Sequence, residues 1–173
     1  TFLFLFNGSS VVFADDYQDA TDAYQRKDYK EAFRLWLPLA EQGTAQAQFN
    51  IGIMYEEGLG VLQDYKEALR WYRFSAEQGK ANAQSNLGLM YYNGRGVPRD
   101  YEEAFRLFNL SAEQGDALAQ SNLGTMHYKG QGVPKDYKEA VKWYRLSSEQ
   151  KHSKAQSNLG VMYEKGYGVP QDY

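Results

Sequence analysis

The chain has 173 residues, a formal charge of −3 and a sequence isoelectric point near 5.4, which leaves no basic stripe to neutralise phosphates and argues against a nucleic-acid partner. Cysteine is absent, which excludes disulfides, Cys-type zinc sites and thiol redox chemistry. Scarce proline (4), plentiful glycine (16) and abundant tyrosine (15), with 43% hydrophobic residues to fill a core, favour helices broken by regular glycine turns over a β-sandwich or a disordered polymer.

The chain opens on the apolar run Thr1-Phe2-Leu3-Phe4-Leu5-Phe6, and Val12-Phe13-Ala14 ends on a small residue directly before Asp15-Asp16. This is the pattern of the late part of a secretory signal, with cleavage after Ala14. Residues 1–14 are then a signal remnant, and the mature chain begins at Asp15, is exported to the periplasm or the medium, and has no membrane span. The run is too short to cross a bilayer. The alternative is a buried first helix.

Residues 15–43 form a first, shorter helical unit, with Ala20-x-x-x-Tyr24 followed by Asp28-Tyr29-Lys30-Glu31-Ala32. From residue 44 the sequence coincides with itself at a shift of 36 residues, the distance from Met54 to Met90, and the register never slips. The units are 44–79, 80–115, 116–151 and the partial 152–173. Each holds an apolar-Gly pair (Ile51-Gly52, Leu87-Gly88, Leu123-Gly124, Leu159-Gly160) and a methionine (Met54, Met90, Met126, Met162). A Gly-x-Gly-Val turn follows (Gly58 to Val61, Gly94 to Val97, Gly130 to Val133, Gly166 to Val169), then Asp-Tyr (Asp64, Asp100, Asp136, Asp172 with the next tyrosine). Each copy meets the same neighbours, so each needs the same packing residues.

Every full unit reads as two helices. The first spans about 44–57, where Ala47, Ile51, Met54 and Tyr55 recur at spacings of three and four on one face. The second starts at Asp64, and Asp64-x-x-Glu67 predicts a capping box in which the Asp accepts a backbone N–H and the Glu reaches back to the cap. Asp28/Glu31, Asp100/Glu103 and Asp136/Glu139 repeat it. Ala68, Tyr72 and Ser75 face inward, and Gly79 ends the helix in a left-handed conformation. Gly88 and Gly124 are close-packing positions between the helices of a unit. The Gly-x-Gly element follows a helix instead of a strand and lacks Lys-Ser/Thr, so it is a turn and not a phosphate cradle; Pro98, Pro134 and Pro170 stiffen the chain before the second helix. Partial unit 152–173 stops where its second helix is due, which fits a piece of a longer array.

The Ala-Gln-x-x-Leu-Gly-x-Met-Tyr-x-x-Gly-x-Gly-Val-x-x-Asp-Tyr-x-x-Ala pattern, from Ala83-Gln84 to Ala104, resembles the Sel1-like repeat family, a relative of the tetratricopeptide repeat. The likeness covers residues 44 to 173. It implies an all-α fold, a right-handed α-solenoid of antiparallel helix pairs, and a protein-interaction function. Residues 15–43, with eight residues from Tyr24 to Ala32 against thirteen from Tyr55 to Ala68, resemble an ordinary tetratricopeptide repeat and are expected to cap the stack.

A search for chemistry finds little. His127 takes the place of Tyr55, Tyr91 and Tyr163, His152 sits beside a turn, and no His-x-x-x-His spacing exists, so neither a metal site nor a Ser-His-Asp arrangement is expected. No cofactor is expected, and no enzyme activity.

Recognition is sought where the repeats differ. In the first helices the varying sets are Gln46/Asn82/Leu118/Lys154, Phe49/Ser85/Ser121/Ser157, Ile53/Leu89/Thr125/Val161, Glu56/Tyr92/Tyr128/Glu164 and Glu57/Asn93/Lys129/Lys165. Their spacing gathers them along one stripe, opposite Ile51, Met54 and Tyr55. In the tetratricopeptide family that stripe lines the concave groove, so the resemblance implies a binding surface for a protein or peptide, with Tyr92 and Tyr128 as aromatic anchors. The alternative is a solvated face. Three functions follow: an exported non-catalytic adaptor; a cell-envelope hydrolase or β-lactam-binding protein, as cysteine-rich relatives suggest, though their linking cysteines are missing here; or a structural spacer.

Overall fold

The computed structural model describes residues 9–169, with side chains from residue 16 onward. Nine α-helices and no strand occur among the described residues: α1 (Ser9–Gln25), α2 (Tyr29–Glu41), α3 (Ala45–Glu57), α4 (Tyr65–Glu77), α5 (Ala81–Asn93), α6 (Tyr101–Glu113), α7 (Ala117–Lys129), α8 (Tyr137–Glu149) and α9 (Ser153–Lys165). They fall into two compact units, Thr1–Gln78 with α1 to α4 and Gly79–Tyr173 with α5 to α9. The expected signal run lies outside the described residues up to residue 8; from Ser9 the backbone is helical through Ala14 into α1. Pro170 also lies outside them.

Inside each unit the helices pack as antiparallel pairs, and the second helix of one pair packs on the first helix of the next. The core follows the repeat register. In the first unit Ala47, Ile51 and Met54 of α3 are buried with Ala68 and Trp71 of α4. In the second, Leu123 and Met126 of α7 are buried with Ala104 and Phe108 of α6. In the α3/α4, α5/α6 and α7/α8 pairs a glycine of the first helix lies against a ring of the second. A Cβ at Gly88 would lie 2.8 Å from the Phe108 ring, and one at Gly124 would lie 2.6 Å from the Tyr144 ring. An aromatic ring from the second helix therefore fills the place where any other residue of the first would put its side chain. At Gly160 nothing lies within 4 Å of that position.

The second helices begin as expected but are capped differently from the expected box. Asp64 accepts from Lys66 N–H (2.8 Å) and Glu67 N–H (3.2 Å), and Asp28, Asp100 and Asp136 act likewise. The glutamates do not reach back to the cap. Glu31, Glu67, Glu103 and Glu139 pair instead with Arg34, Arg70, Arg106 and Lys142 one turn on. The reason is that the cap N–H groups are already used: Asp64, Asp100 and Asp136 donate to the carbonyls of Tyr55, Tyr91 and His127 on the preceding helix. The Gly-x-Gly turn lets that return happen. Its first glycine is the left-handed C-cap, as at Gly58 (φ 69°). Its second is pressed onto backbone of the preceding pair, Gly60 on Tyr29 and Gly132 on Tyr101, where a side chain has no room.

The Ala-Gln and Glu-Gln-Gly elements have a joint explanation. Gln78, Gln114 and Gln150 at the ends of second helices donate to the buried Gln48, Gln84 and Gln120 side chains (2.7–2.9 Å). Gln48 in turn donates to the Ala40 carbonyl (3.1 Å), tying successive pairs together. Ser75, Ser111 and Ser147 close each pair by donating to the carbonyls of Ala45, Ala81 and Ala117 (2.6–2.8 Å).

Candidate peptide-binding surface

The varying stripe does not lie wholly in the open. Ser85 and Ser121 are only 1% exposed, and these two residues are corrected from ligand contacts to buried positions. They stand three residues before Gly88 and Gly124, one turn away on the same helical side, and that side is covered by the second helix. In the first unit the same geometry seats Phe49 against the Tyr72 ring (centroids 5.8 Å apart), while Glu56 accepts from the Tyr72 hydroxyl (2.7 Å). Gln46 and Asn82 are half-buried, Gln46 donating to Asn50 and Asn82 accepting from the Ala83 N–H. Leu89 and Leu118 are half-buried as well; Glu57, Asn93, Ser157, Glu164 and Lys165 are exposed.

Tyr92 and Tyr128 are only half exposed, because each also supports the turn layer. Tyr92 donates to Gln131 (2.6 Å), accepts from Lys129 (3.4 Å) and meets the Tyr101 ring edge-on at 5.2 Å. Tyr128 packs against Tyr137 (5.6 Å) and Tyr167 (6.3 Å). Beyond the anchor role expected of them, both belong to the packing, because the Gly-x-Gly turn of the following pair folds back onto them.

Within each unit a cleft opens on the first helices. In the second unit, Thr125, Tyr128 and Lys129 of α7, Tyr144 of α8, and Lys154, Asn158, Val161 and Met162 of α9 line a cleft of about 330 Å³. Five of these eight belong to the stripe, so the structure brings part of it together at one place. Tyr144 donates to Thr125 (3.1 Å) and hydrogen-bonds Asn158, and burial is the main reason its phenol is held above its ordinary value. In the first unit a cleft of about 260 Å³ is lined by Tyr17, Thr21, Tyr24, Trp36, Asn50 and Ile53. Only Ile53 was expected there. Asn50 donates to the Tyr17 hydroxyl (3.0 Å), and burial, with Tyr29 and Glu57 adding to it, raises Tyr24.

Sequence reasoning missed Asn50 and Asn158 because they share a constant repeat position with Asn86 and Asn122, and constancy was read as packing. A signal was present. Asparagine is a poor helix former, so its retention at mid-helix in α3, α5, α7 and α9 asks for a side-chain role. Tyr144 and Trp36 are buried, and each also shows an edge to a cleft. Among the described residues no cluster of three or more His, Asp or Glu could hold a metal ion, and no helix is long and apolar enough to cross a membrane.

Comparison with known proteins gives these elements a family. The Sel1 repeat model matches residues 17–44, 45–80, 81–116, 117–152 and 153–173, and so includes the short first unit. A protective antigen of uropathogenic Escherichia coli displaying an SLR fold superposes with a TM-score of 0.87 at 36% identity, covering 92% of this chain and 35% of that one. A Sel1 repeat protein from Oxalobacter formigenes gives 0.84 at 37% identity, covering 91% and 63%. This chain thus spans about a third of the first and under two thirds of the second. Cysteine-rich protein B of Helicobacter pylori shares the fold at 21% identity (TM-score 0.60, covering 76% and 95%). Curated protein sequences give no match. The expected α-solenoid of helix pairs is the fold of these neighbours, Sel1 repeat proteins are in general non-catalytic scaffolds for protein interaction, and with its repeat model matched from residue 17 to the end the chain belongs to the Sel1 repeat family.

Proposed function

We propose that this protein is an exported interaction scaffold that seats an extended peptide or protein segment against the open faces of its first helices. The observation that supports it most is the cleft on α7 and α9, where residues free to differ between repeats converge with hydroxyl, amide, ammonium and aliphatic groups in one recess. Pockets of mixed lining that expose a few oriented polar groups are where peptides dock with specificity. Export rests on the apolar start and Val12-Phe13-Ala14. The antigen character of the E. coli neighbour agrees with a surface or envelope location.

The test is capture from an envelope or secreted fraction by residues 15–173, alongside a Val161→Arg variant. Val161 is 43% exposed and lines the cleft, so an arginine fills the recess without disturbing the core. A partner retained by the parent and lost by the variant, with unchanged circular dichroism, supports the reading. A partner held equally by both lies elsewhere, and no partner at all favours the spacer. Mass spectrometry of the exported protein should find Asp15 first; only uncleaved chain in the cytosol would refute export.

A further inference from the structure

One register position of the second helices carries Trp36, Tyr72, Phe108 and Tyr144. Of these four, Trp36 is the indole, the ring whose face attracts cations most strongly. It lines the cleft of about 260 Å³ in the first unit together with two tyrosines. Tyr17 and Tyr24 stand seven residues apart on α1, two turns along one face. Their ring centroids lie 6.1 and 5.5 Å from that of Trp36, and their planes are tilted 40° and 43° to it. The indole is the floor of a cup, and the two phenol rings are its sides. Asn50 fixes one side by donating to the Tyr17 hydroxyl (3.0 Å), while its own carbonyl accepts from Gln46 (3.4 Å). Among the described residues no charged side chain lines the cup, yet its surroundings are acidic. α1 carries Asp16, Asp19 and Asp22 and has no cation from Ser9 to Gln25, and Glu57 acts on the Tyr24 phenol, which burial keeps neutral.

We infer that this cup binds a choline group, its trimethylammonium seated over Trp36 between Tyr17 and Tyr24 and its oxygen accepting from the Tyr17 hydroxyl. A cation placed over the indole between the tyrosines comes within about 6 Å of all three ring centroids, the range over which ring faces attract it. The acids of α1 add a negative potential that draws cations to the cleft. A primary ammonium would need acceptors for its three N–H groups, and no carboxylate in the lining supplies them. A quaternary one has no N–H to satisfy. Tyr17 accepts from Asn50 and keeps its own proton to give, which suits the choline oxygen; a methylated lysine, with only methylenes beside its nitrogen, would leave that donor idle. Ile53 supplies aliphatic surface for the methyl groups. The inference is independent of the peptide reading, which rests on the cleft of the second unit.

The test is an NMR titration of isotope-labelled chain, read at the Trp36 indole N–H resonance, with choline, tetramethylammonium, ethanolamine and dimethylbutanol, the choline isostere in which carbon replaces the charged nitrogen. Choline should shift that resonance and bind at least about tenfold more tightly than either dimethylbutanol or ethanolamine. Tyr17→Leu, at a half-buried side chain, should weaken choline and tetramethylammonium about tenfold with circular dichroism unchanged, whereas Tyr17→Phe should weaken choline alone. Ile53→Lys, which adds a cation to the lining, should abolish binding of both. Sedimentation with vesicles separates the two sources of the group. Chain carried down by phosphatidylcholine and not by phosphatidylglycerol, and released by Ile53→Lys, takes choline on a lipid; chain that binds choline and neither vesicle takes it free. Dimethylbutanol binding as tightly as choline overturns the cation assignment and makes the cup an apolar pocket. An unmoved Trp36 resonance with every probe, or Tyr17→Leu binding like the parent, overturns the site.

Discussion

A methyl group is enough to separate two glycines that the repeat makes equivalent. At Gly124 it would stand 2.6 Å from the Tyr144 ring, and that ring is held by its hydrogen bond to Thr125 and by the core around it, so it has little freedom to withdraw. Gly124→Ala should cost about 1–3 kcal/mol, the usual range for overpacking. At Gly160 the same methyl meets nothing within 4 Å, so in this 173-residue chain Gly160→Ala should stabilise by up to about 1 kcal/mol through helix propensity alone. Thermal melts of the two variants check it, and equal shifts would refute it. Tyr92 obeys the same logic in reverse. It looks like a replaceable surface residue in the alignment of repeats, yet its hydroxyl reaches Gln131 in the turn after α7. Tyr92→Phe should lower the melting temperature slightly and Tyr92→Ala clearly more, because the second also removes the ring from Tyr101.

Helix starts were legible because they are set by local chemistry, and the part that failed was set by a neighbour. An aspartate ahead of a helical run satisfies free N–H groups of its own first turn, which needs no tertiary information. Whether the glutamate three residues on completes a box depends on whether the cap N–H is free, and the preceding helix has taken it. Asp136 shows an electrostatic consequence. Its carboxyl is held below the ordinary aspartate value, first by the N–H of Glu139, then by that of Lys138, with His127 and Lys138 adding charge. Since the folded value is depressed, the stabilisation is present above the unfolded value and is lost as pH falls through the folded one. Asp136→Asn keeps an acceptor for the first turn but cannot titrate. Melts recorded from neutral pH downward should therefore lose less stability on the acid side for the variant than for the parent, and parallel acid limbs would contradict this.

Repeat proteins are stabilised by each unit and by the interface with its neighbours, so the protection of a helix should follow how much of it is covered. On α7 Ala119, Leu123 and Met126 are buried; on α9 Gly160 is open, and Val161 and Tyr163 are 43% and 45% exposed. In this 173-residue chain, amide exchange should be slower in α7 than in α9, and uniform protection would show that the helices open only together. The sequence by itself determined the helix pairs, their limits and their core, because a constant period leaves packing residues constant and lets glycine, aspartate and the inward apolar face announce themselves. It also picked out Thr125, Tyr128, Lys129, Lys154 and Val161 through their variation. Only the tertiary structure decided that Ser85 and Ser121 are covered, that Asn158 and Tyr144 join the cleft, and that Tyr17, Tyr24 and Trp36 share a recess. Those outcomes depend on which side of a helix the neighbouring ring occupies, and a period of three and four residues cannot say what lies across the gap.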